Sequence, residues 1–192
     1  EKKGITSGSI LILYQRWKTF LAVSCVAMLL YVGSEIASSS WMSTYIVKGL
    51  KGNLYLGGIA MAGYWGMITI GRIVFAYLSQ RNHYGKLLRI LSIISLVFLF
   101  FLLMTDSIPL VILSFMGIGF GFSGIWPLVV AVVAKNIEEM QATAIGVVVA
   151  LGGTGALFFP WLFGIFSDYM GLRFIFIMVV VLVVAMFFVF QS

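Results

Sequence analysis

The sequence predicts an all-α membrane protein in which six transmembrane helices form a three-plus-three inverted repeat. Apolar residues make up 62% of the 192 residues and charged residues 9%, against roughly 45–50% and about 25% in soluble domains. Nearly uncharged stretches of membrane-spanning length recur along the chain, and its two halves show short internal similarity. A soluble domain of this size is excluded, because its surface could not hide so many apolar side chains from water.

The membrane spans follow from the length of each uncharged stretch. A helix rises 1.5 Å per residue and needs about 20 residues to cross about 30 Å of hydrocarbon. A transmembrane β-barrel would show alternating strands of about ten residues, whereas residues 91–100 are continuously apolar apart from two serines. We therefore predict one six-helix domain, with helices at residues 19–47, 52–80, 87–105, 108–134, 141–167 and 172–190.

The positive charges indicate how the helices are oriented. The net charge is +6, and cytoplasmic loops are generally enriched in Lys and Arg. Three cations lie on one predicted side, Lys48, Lys51 and Arg173, and eight on the other, Lys2, Lys3, Arg16, Lys18, Arg81, Lys86, Arg89 and Lys135. We expect a cell-membrane protein with both termini in the cytoplasm. Topology accounts for the basic charge, so nucleic-acid binding is not predicted.

Glycine distinguishes the predicted helices. The third and sixth carry almost no glycine, whereas the second, fourth and fifth are rich in it. Small residues allow close approach of helices in lipid. We predict that these three helices form the packed or cavity side, with Gly153 at a close helix contact, and that the third and sixth face lipid.

The two halves of the chain align at an offset of 88 residues. Gly58 then matches Gly146, and Ser79 matches Ser167. Each half contains an odd number of spans, so the halves must be inverted relative to each other. Inverted repeats are typical of secondary transporters.

Five motifs follow one another along the chain. They are Tyr31-Val32-Gly33-Ser34-Glu35 with Trp41 and Tyr45; Gly71-Arg72 continuing through Arg81, Gly85 and Lys86; Gly117-Ile118-Gly119-Phe120-Gly121 with Trp126-Pro127; Gly146, Gly152, Gly153, Gly155 and Pro160; and Gly164, Asp168, Gly171 and Arg173. In this order they resemble the C-terminal half of a major facilitator superfamily transporter, helices seven to twelve of twelve. The chain departs from the family pattern at Gln80, usually Asp, and at Ala76, usually Gly.

The resemblance implies one half of a secondary transporter that moves a small organic solute by alternating access. We expect a symporter, with a proton as the coupling ion, and the N-terminal half of the same transporter and the lipid bilayer as partners. The sequence begins at Glu1 rather than Met, so we expect a segment of a longer protein. An exporter of lipophilic compounds is the alternative, because ten methionines and many aromatic residues suit adaptable binding walls.

An enzyme is the alternative of a different class. Gly121-Phe122-Ser123-Gly124 resembles the serine motif of rhomboid intramembrane proteases, but a nucleophilic serine needs a nearby base. His83, the single histidine, lies in a predicted loop. The sequence indicates no cofactor: it has no Cys–His–acid cluster for a metal and no phosphate-binding loop.

Glu35 is the leading candidate for a functional residue. It lies deep in the first predicted span, where an ionised carboxylate costs several kcal/mol and must face protein or a watery cavity. Tyr31 and Ser39 share its helix face and Trp41 lies beside it. Two hypotheses stay open: Glu35 couples protons or contacts substrate, or it is a structural carboxyl bonded to a neighbour.

Other candidates have more structural interpretations. We expect Arg72 to bind carbonyl groups of a neighbouring helix rather than substrate. Asp168 with Arg173 is predicted to cap the start of the last helix and tie it to the fifth. Trp126, before Pro127, either lines the cavity beside a kinked backbone or packs against lipid and helices.

Overall fold

The computed structural model describes residues 7–138 and 140–191, with side chains from residue 17 onward. Lys2 and Lys3, counted above in the charge asymmetry, lie outside the described residues, as does the side chain of Arg16. Over this part of the chain the fold is all-α, as predicted. Its helices are α1 Ser7–Thr44, α2 Leu54–Leu78, α3 Tyr84–Met104, α4 Ile108–Phe122, α5 Ile125–Asn136, α6 Gln141–Met170 and α7 Arg173–Val189.

These helices make six apolar segments, called spans below, because α4 and α5 together form one of them, Ile108–Asn136. Five segments have the length and hydropathy to cross a membrane, and α7 is a shorter apolar helix of 17 residues. The result fits one half of the predicted transporter fold.

The first span is irregular at both ends. Its backbone leaves helical geometry at Trp17, where φ is −124° and ψ is 19°. At the other end α1 continues into a π-helical turn, Tyr45–Gly49. This turn includes Tyr45, which is buried and contacts the ring of Phe176 in α7. The first span is therefore anchored to the last one at this end.

The fourth span is two helices rather than the single helix predicted at residues 108–134. The break falls at Ser123 and Gly124, between α4 and α5. Pro127 lies in the first turn of α5, where its missing N–H costs least. The interruption of the backbone therefore ends two residues before Trp126.

The helix pairs follow the predicted inverted repeat. The first span packs on the fifth and sixth, α6 and α7. The fourth span packs correspondingly on the second and third, α2 and α3. If the first, second and third spans are matched with the fourth, fifth and sixth, the two sets of contacts correspond. The packing thus agrees with the similarity at an offset of 88 residues.

Glycine permits the closest contacts between helices, and on α6 these contacts lie on one face. A β-carbon at Gly155 would overlap the carbonyl oxygen of Leu29 in α1, and one at Gly119 would overlap the carbonyl oxygen of Tyr64 in α2. Gly153 is exposed, and no other part of the described chain approaches its β-carbon position within 4 Å. Within the described chain the contact face of α6 passes through Gly152 and Gly155. The close contact at Gly153 stays a prediction for the surface that a second half would cover.

The equivalent helices α2 and α6 expose most of their surface. Each buries one narrow stripe and leaves the rest uncovered within the described chain. The exposed side includes four glycines with open space at their β-carbon positions: Gly58, Gly66, Gly146 and Gly153.

We predict that Gly155→Ala destabilises the protein and that Gly85→Ala, at an exposed glycine of α3 with open space at its β-carbon position, does not. The first change places a methyl group against the α1 backbone, and overpacking of this kind typically costs about 1–3 kcal/mol. Thermal unfolding of the purified full-length protein in detergent measures the difference. Equal unfolding temperatures for the two variants would contradict the assigned contact face.

Candidate functional site

The buried carboxyl group of Glu35 is the centre of the candidate site. Its side chain is 5% exposed. The hydroxyl of Tyr31, one helical turn earlier, donates a hydrogen bond of 2.7 Å to Glu35 Oε1. The i, i+4 spacing brings the two side chains together on one face of α1. The sequence-based pairing of these two residues is therefore present in the structure.

A second tyrosine joins this site from α2. Tyr64 is fully buried, and its hydroxyl donates to the backbone carbonyl oxygen of Glu35 at 3.1 Å. Glu35 thus has its side chain bonded within α1 and its main chain bonded to α2. Sequence reasoning gave Tyr64 little weight, because a bond from a tyrosine to a backbone carbonyl 29 residues away leaves no local pattern.

The charge of Arg72 acts on this site from a distance. Arg72 lies on α2, two helical turns after Tyr64, and is exposed in this chain. It is within electrostatic range of Glu35 and Tyr31. Within the described residues it forms neither a hydrogen bond nor an ion pair. The predicted bonds to carbonyl groups of a neighbouring helix are therefore not found.

Two serines beyond Glu35 differ in their hydrogen bonding. Ser39, predicted to join the site, donates to the Ile36 carbonyl oxygen of its own helix at 3.1 Å. Ser38 is fully buried, and its hydroxyl has no partner within the described part of the chain. The Ser38 hydroxyl is therefore left without a hydrogen bond within the described chain.

Trp41 binds a helix rather than an open space. Its indole N–H donates to the carbonyl oxygen of Pro160 in α6 at 3.0 Å. Its ring lies where a β-carbon at Gly164 would stand. Proline inside a helix removes one backbone hydrogen bond and bends the helix. Trp41 therefore fixes α1 against α6 at the turn that contains Pro160.

The Trp126–Pro127 pair lies at the surface of the fourth span. Trp126 is half-buried and Pro127 exposed. The interrupted backbone beside them matches the predicted kink, at Ser123 and Gly124. Their position is compatible with both hypotheses, a cavity wall or packing against lipid.

Asp168 does not cap the last helix, contrary to the prediction. It lies in the final turns of α6 and is exposed, while α7 begins at Arg173 after Leu172, without a side-chain cap. The chain must first turn at Gly171, whose φ of +85° favours glycine. The carboxylate is therefore on the wrong side of this turn to reach the N–H groups of α7.

Arg173 instead joins three separate parts of the chain. It forms an ion pair with Asp106 in the loop between α3 and α4, and donates to the Thr105 carbonyl oxygen and the Tyr45 hydroxyl, each at 3.2 Å. We call these four residues the loop cluster. Sequence reasoning missed Asp106, although the predicted topology places its loop on the same side as Arg173.

The serine of the protease-like motif has a packing role. Ser123 is buried, donates to the Phe120 carbonyl oxygen at 2.6 Å, and lies against Gly71. His83 is exposed in the loop before α3. The part of the chain that the structure describes contains no group of three His, Cys, Asp or Glu residues able to hold a metal ion.

Comparison with known proteins agrees with this architecture. The family described as Major Facilitator Superfamily matches residues 23–191. A relative in Saccharomyces cerevisiae, Bypass of stop codon protein 6, is 26% identical over 159 residues. The match covers 77% of this chain and 32% of the yeast protein, so the chain spans about a third of that relative's length.

We predict that Arg173→Ala destabilises the protein more than Asp106→Asn. An exposed ion pair contributes about 1 kcal/mol or less, whereas losing Arg173 also removes the donors to Tyr45 and Thr105. Thermal unfolding in detergent ranks the variants, with Lys51→Ala as a control for removing an exposed cation. If Asp106→Asn costs as much as Arg173→Ala, the ion pair is the main interaction of the loop cluster.

Proposed function

Because this chain belongs to the Major Facilitator Superfamily, we propose that it forms the C-terminal half of a secondary active transporter for a small organic solute. Members of this family carry small solutes across membranes, and the chain has several membrane-spanning helices. The proposed transporter works by alternating access, in which two halves rock around a central site. It is a transporter rather than an enzyme.

The buried Glu35 carboxyl supports proton coupling. An isolated ionised carboxylate is costly at membrane depth, whereas the protonated form is tolerated. No cation lies within ion-pair distance of Glu35 in the described chain; the charge of Arg72 acts only from farther away. A carboxyl group with one tyrosine donor and a distant positive charge suits reversible protonation. Glu35 is therefore the proposed coupling group, in a symporter.

The exposed faces of α2 and α6 support a second half as partner. Both faces carry glycines with open space at the β-carbon, which permits close approach of another helix. The exposed Arg72 also lies on α2, where facing a central cavity would avoid lipid. The N-terminal half is the proposed occupant, with the solute site between the two halves.

Export of lipophilic compounds is the second candidate, favoured by exposed aromatic side chains on these faces. Trp65 is 39% exposed, Phe158 50% and Trp161 62%. Aromatic walls bind apolar solutes without requiring specific polar partners. Efflux of a lipophilic cationic dye from liposomes distinguishes this activity from uptake of a polar solute.

We predict that Glu35→Gln abolishes uphill accumulation and preserves exchange. The amide mimics the protonated carboxyl, so binding and rocking continue, but no proton is released. The measurement uses full-length protein in liposomes with an imposed pH gradient and a solute identified by screening sugars, amino acids and organic acids. Counterflow of labelled solute without a gradient measures exchange.

Glu138→Gln serves as the matched control, because it neutralises an exposed glutamate in the loop between α5 and α6. It should leave both activities close to those of the native protein. Accumulation by Glu35→Gln at the native level would show that Glu35 is a structural hydrogen-bonding residue and that coupling resides elsewhere.

We also predict that both termini and the loop around His83 face the cytoplasm of a cell-membrane protein. Lys51 and His83 are both exposed, so cysteines at these positions differ in sidedness rather than burial. An impermeant thiol reagent applied to intact cells should label Lys51→Cys and not His83→Cys in the full-length protein. After permeabilisation both should react. The reverse pattern would refute the orientation.

A further inference from the structure

A polar pocket lies where the loop between α2 and α3 meets the end of α5. Its volume is about 590 Å³. Arg81 and His83 line it from the loop, and Lys135 and Asn136 line it from α5. Within the described residues no carboxyl group lines this pocket. We call it the basic pocket.

The two cations that line the basic pocket have no acidic partner. Arg81 lies over the ring of Tyr77, 5.4 Å from its centroid. In the part of the chain that the structure describes, neither Arg81 nor Lys135 forms an ion pair, although the exposed Glu138 is only three residues beyond Lys135. Positive charge held in a cleft without a counter-charge attracts anions. The basic pocket therefore favours a negatively charged occupant.

Two amide side chains add neutral donors to the basic pocket. Asn82 donates one N–H to the Leu78 carbonyl oxygen at 2.9 Å, and Asn136 donates one to the Val132 carbonyl oxygen at 2.8 Å. A primary amide has two N–H donors, so each side chain keeps one that these bonds do not use. Cations and amide donors together match the acceptor oxygens of a phosphate group.

An apolar groove continues from the basic pocket into the helix bundle. It lies between α1, α3, α5 and α7, has a volume of about 190 Å³, and shares Gly85 and Val132 with the basic pocket. Of the side chains that line it, only Ser24 is polar, and its hydroxyl already donates to the Phe20 carbonyl oxygen. The apolar groove therefore offers a surface for hydrocarbon beside a surface for negative charge.

The exposed face of α3 places the basic pocket at the level of the lipid headgroups. Lys86 and Arg89 are exposed in the first two turns of α3, and the aliphatic side chains of Ile90 and Ile93 are exposed directly after them. Basic side chains at the end of a membrane helix reach the headgroups, whereas exposed aliphatic ones face hydrocarbon. Gly85 precedes this boundary, so the junction of pocket and groove lies where headgroup meets acyl chain.

We propose that the basic pocket and the apolar groove together bind one anionic phospholipid. Its phosphate lies between Arg81 and Lys135, and the first part of one acyl chain enters the apolar groove past Gly85. Basic pockets between membrane helices on the cytoplasmic side bind anionic headgroups, and this end of the molecule is the one predicted to face the cytoplasm. The site is separate from Glu35, so the inference is independent of the proposed transport activity.

The two parts of the site favour this ligand over simpler ones. A soluble phosphate would satisfy the cations but leave the apolar groove without an occupant. A zwitterionic lipid would fill the groove but bring its own cation to the basic pocket. An anionic phospholipid matches both parts, and its phosphate would bridge the α2–α3 loop and the end of α5.

Native mass spectrometry of the purified full-length protein in detergent measures the binding. The protein is titrated with dioleoylphosphatidylglycerol, which is anionic, or with dioleoylphosphatidylcholine, which has the same chains and no net charge. The native protein should bind the anionic lipid more tightly. Arg81→Gln combined with Lys135→Gln should weaken this binding about 30-fold, since each cation near a membrane surface is worth about fivefold in affinity. Binding of phosphatidylcholine should not change.

Lys48→Gln combined with Lys51→Gln is the matched control. It removes two exposed cations from the segment between α1 and α2, at the opposite end of the helices. Its net charge equals that of the pocket variant, and it should bind the anionic lipid like the native protein. If the pocket variant does not fold, Lys135→Gln alone should weaken binding about fivefold.

Gly85→Leu tests the acyl-chain part of the site without changing any charge. The space at the Gly85 β-carbon position is open, so leucine would fold but would fill the junction of pocket and groove. It should weaken binding of the anionic lipid and leave the unfolding temperature in lipid-free detergent unchanged. Glycerophosphate, which has the charged group without acyl chains, should not displace the lipid at millimolar concentration.

Three results would overturn the proposal. The first is native affinity for the anionic lipid in the folded pocket variant, or an equal loss in the Lys48 and Lys51 variant. The second is displacement of the lipid by glycerophosphate, because the pocket would then be a site for free phosphate esters. The third is native affinity in Gly85→Leu, because the acyl chain would then lie outside the apolar groove.

Discussion

Polar groups inside the hydrocarbon layer have no water to bind, so each must find a partner within the protein. Most buried serines satisfy this requirement within their own helices. Two hydrogen bonds between residues far apart in the sequence instead join helices. Tyr64 donates to the carbonyl oxygen of Glu35, and Trp41 donates to that of Pro160. Both end on backbone carbonyl groups, and both hold α1 against a neighbour. The first span is thereby fixed against α2 and α6, the helices that carry the exposed faces.

The same helices repeat their contacts by symmetry. The first span lies between the fifth and sixth, and the fourth lies between the second and third. Glycine makes both arrangements close, with Gly155 against α1 and Gly119 against α2. In lipid there is no hydrophobic drive between helices, so such contacts rely on packing and hydrogen bonds. The uncovered faces of α2 and α6 are consequently a symmetric pair.

The fold class could be predicted from the sequence because membrane thickness imposes a length on each apolar segment. The Tyr31–Glu35 bond was likewise accessible from i, i+4 spacing. The contact face of α6 could not be predicted from composition. Gly153 and Gly155 are two residues apart, which places them on opposite sides of a helix. The number of glycines in a helix does not show on which side of the helix axis each one lies. The pairing of Arg173 with Asp106, 67 residues away, also required the tertiary structure.

Glu35 takes part in two hydrogen bonds, one through its side chain and one through its backbone. Its carboxyl group bonds to Tyr31, and its backbone carbonyl accepts the bond from Tyr64 that holds α2. Under the proposed function, the charge of the carboxyl changes at the residue where α1 and α2 meet. Helix α2 also carries Arg72, whose charge acts on Glu35 and which is exposed on the side proposed to face the other half. A proton leaving Glu35 would strengthen the attraction of Arg72 to this site. Protonation would thereby alter the balance of forces on the helix proposed to contact the partner half, which is what coupling a proton to a rocking motion requires.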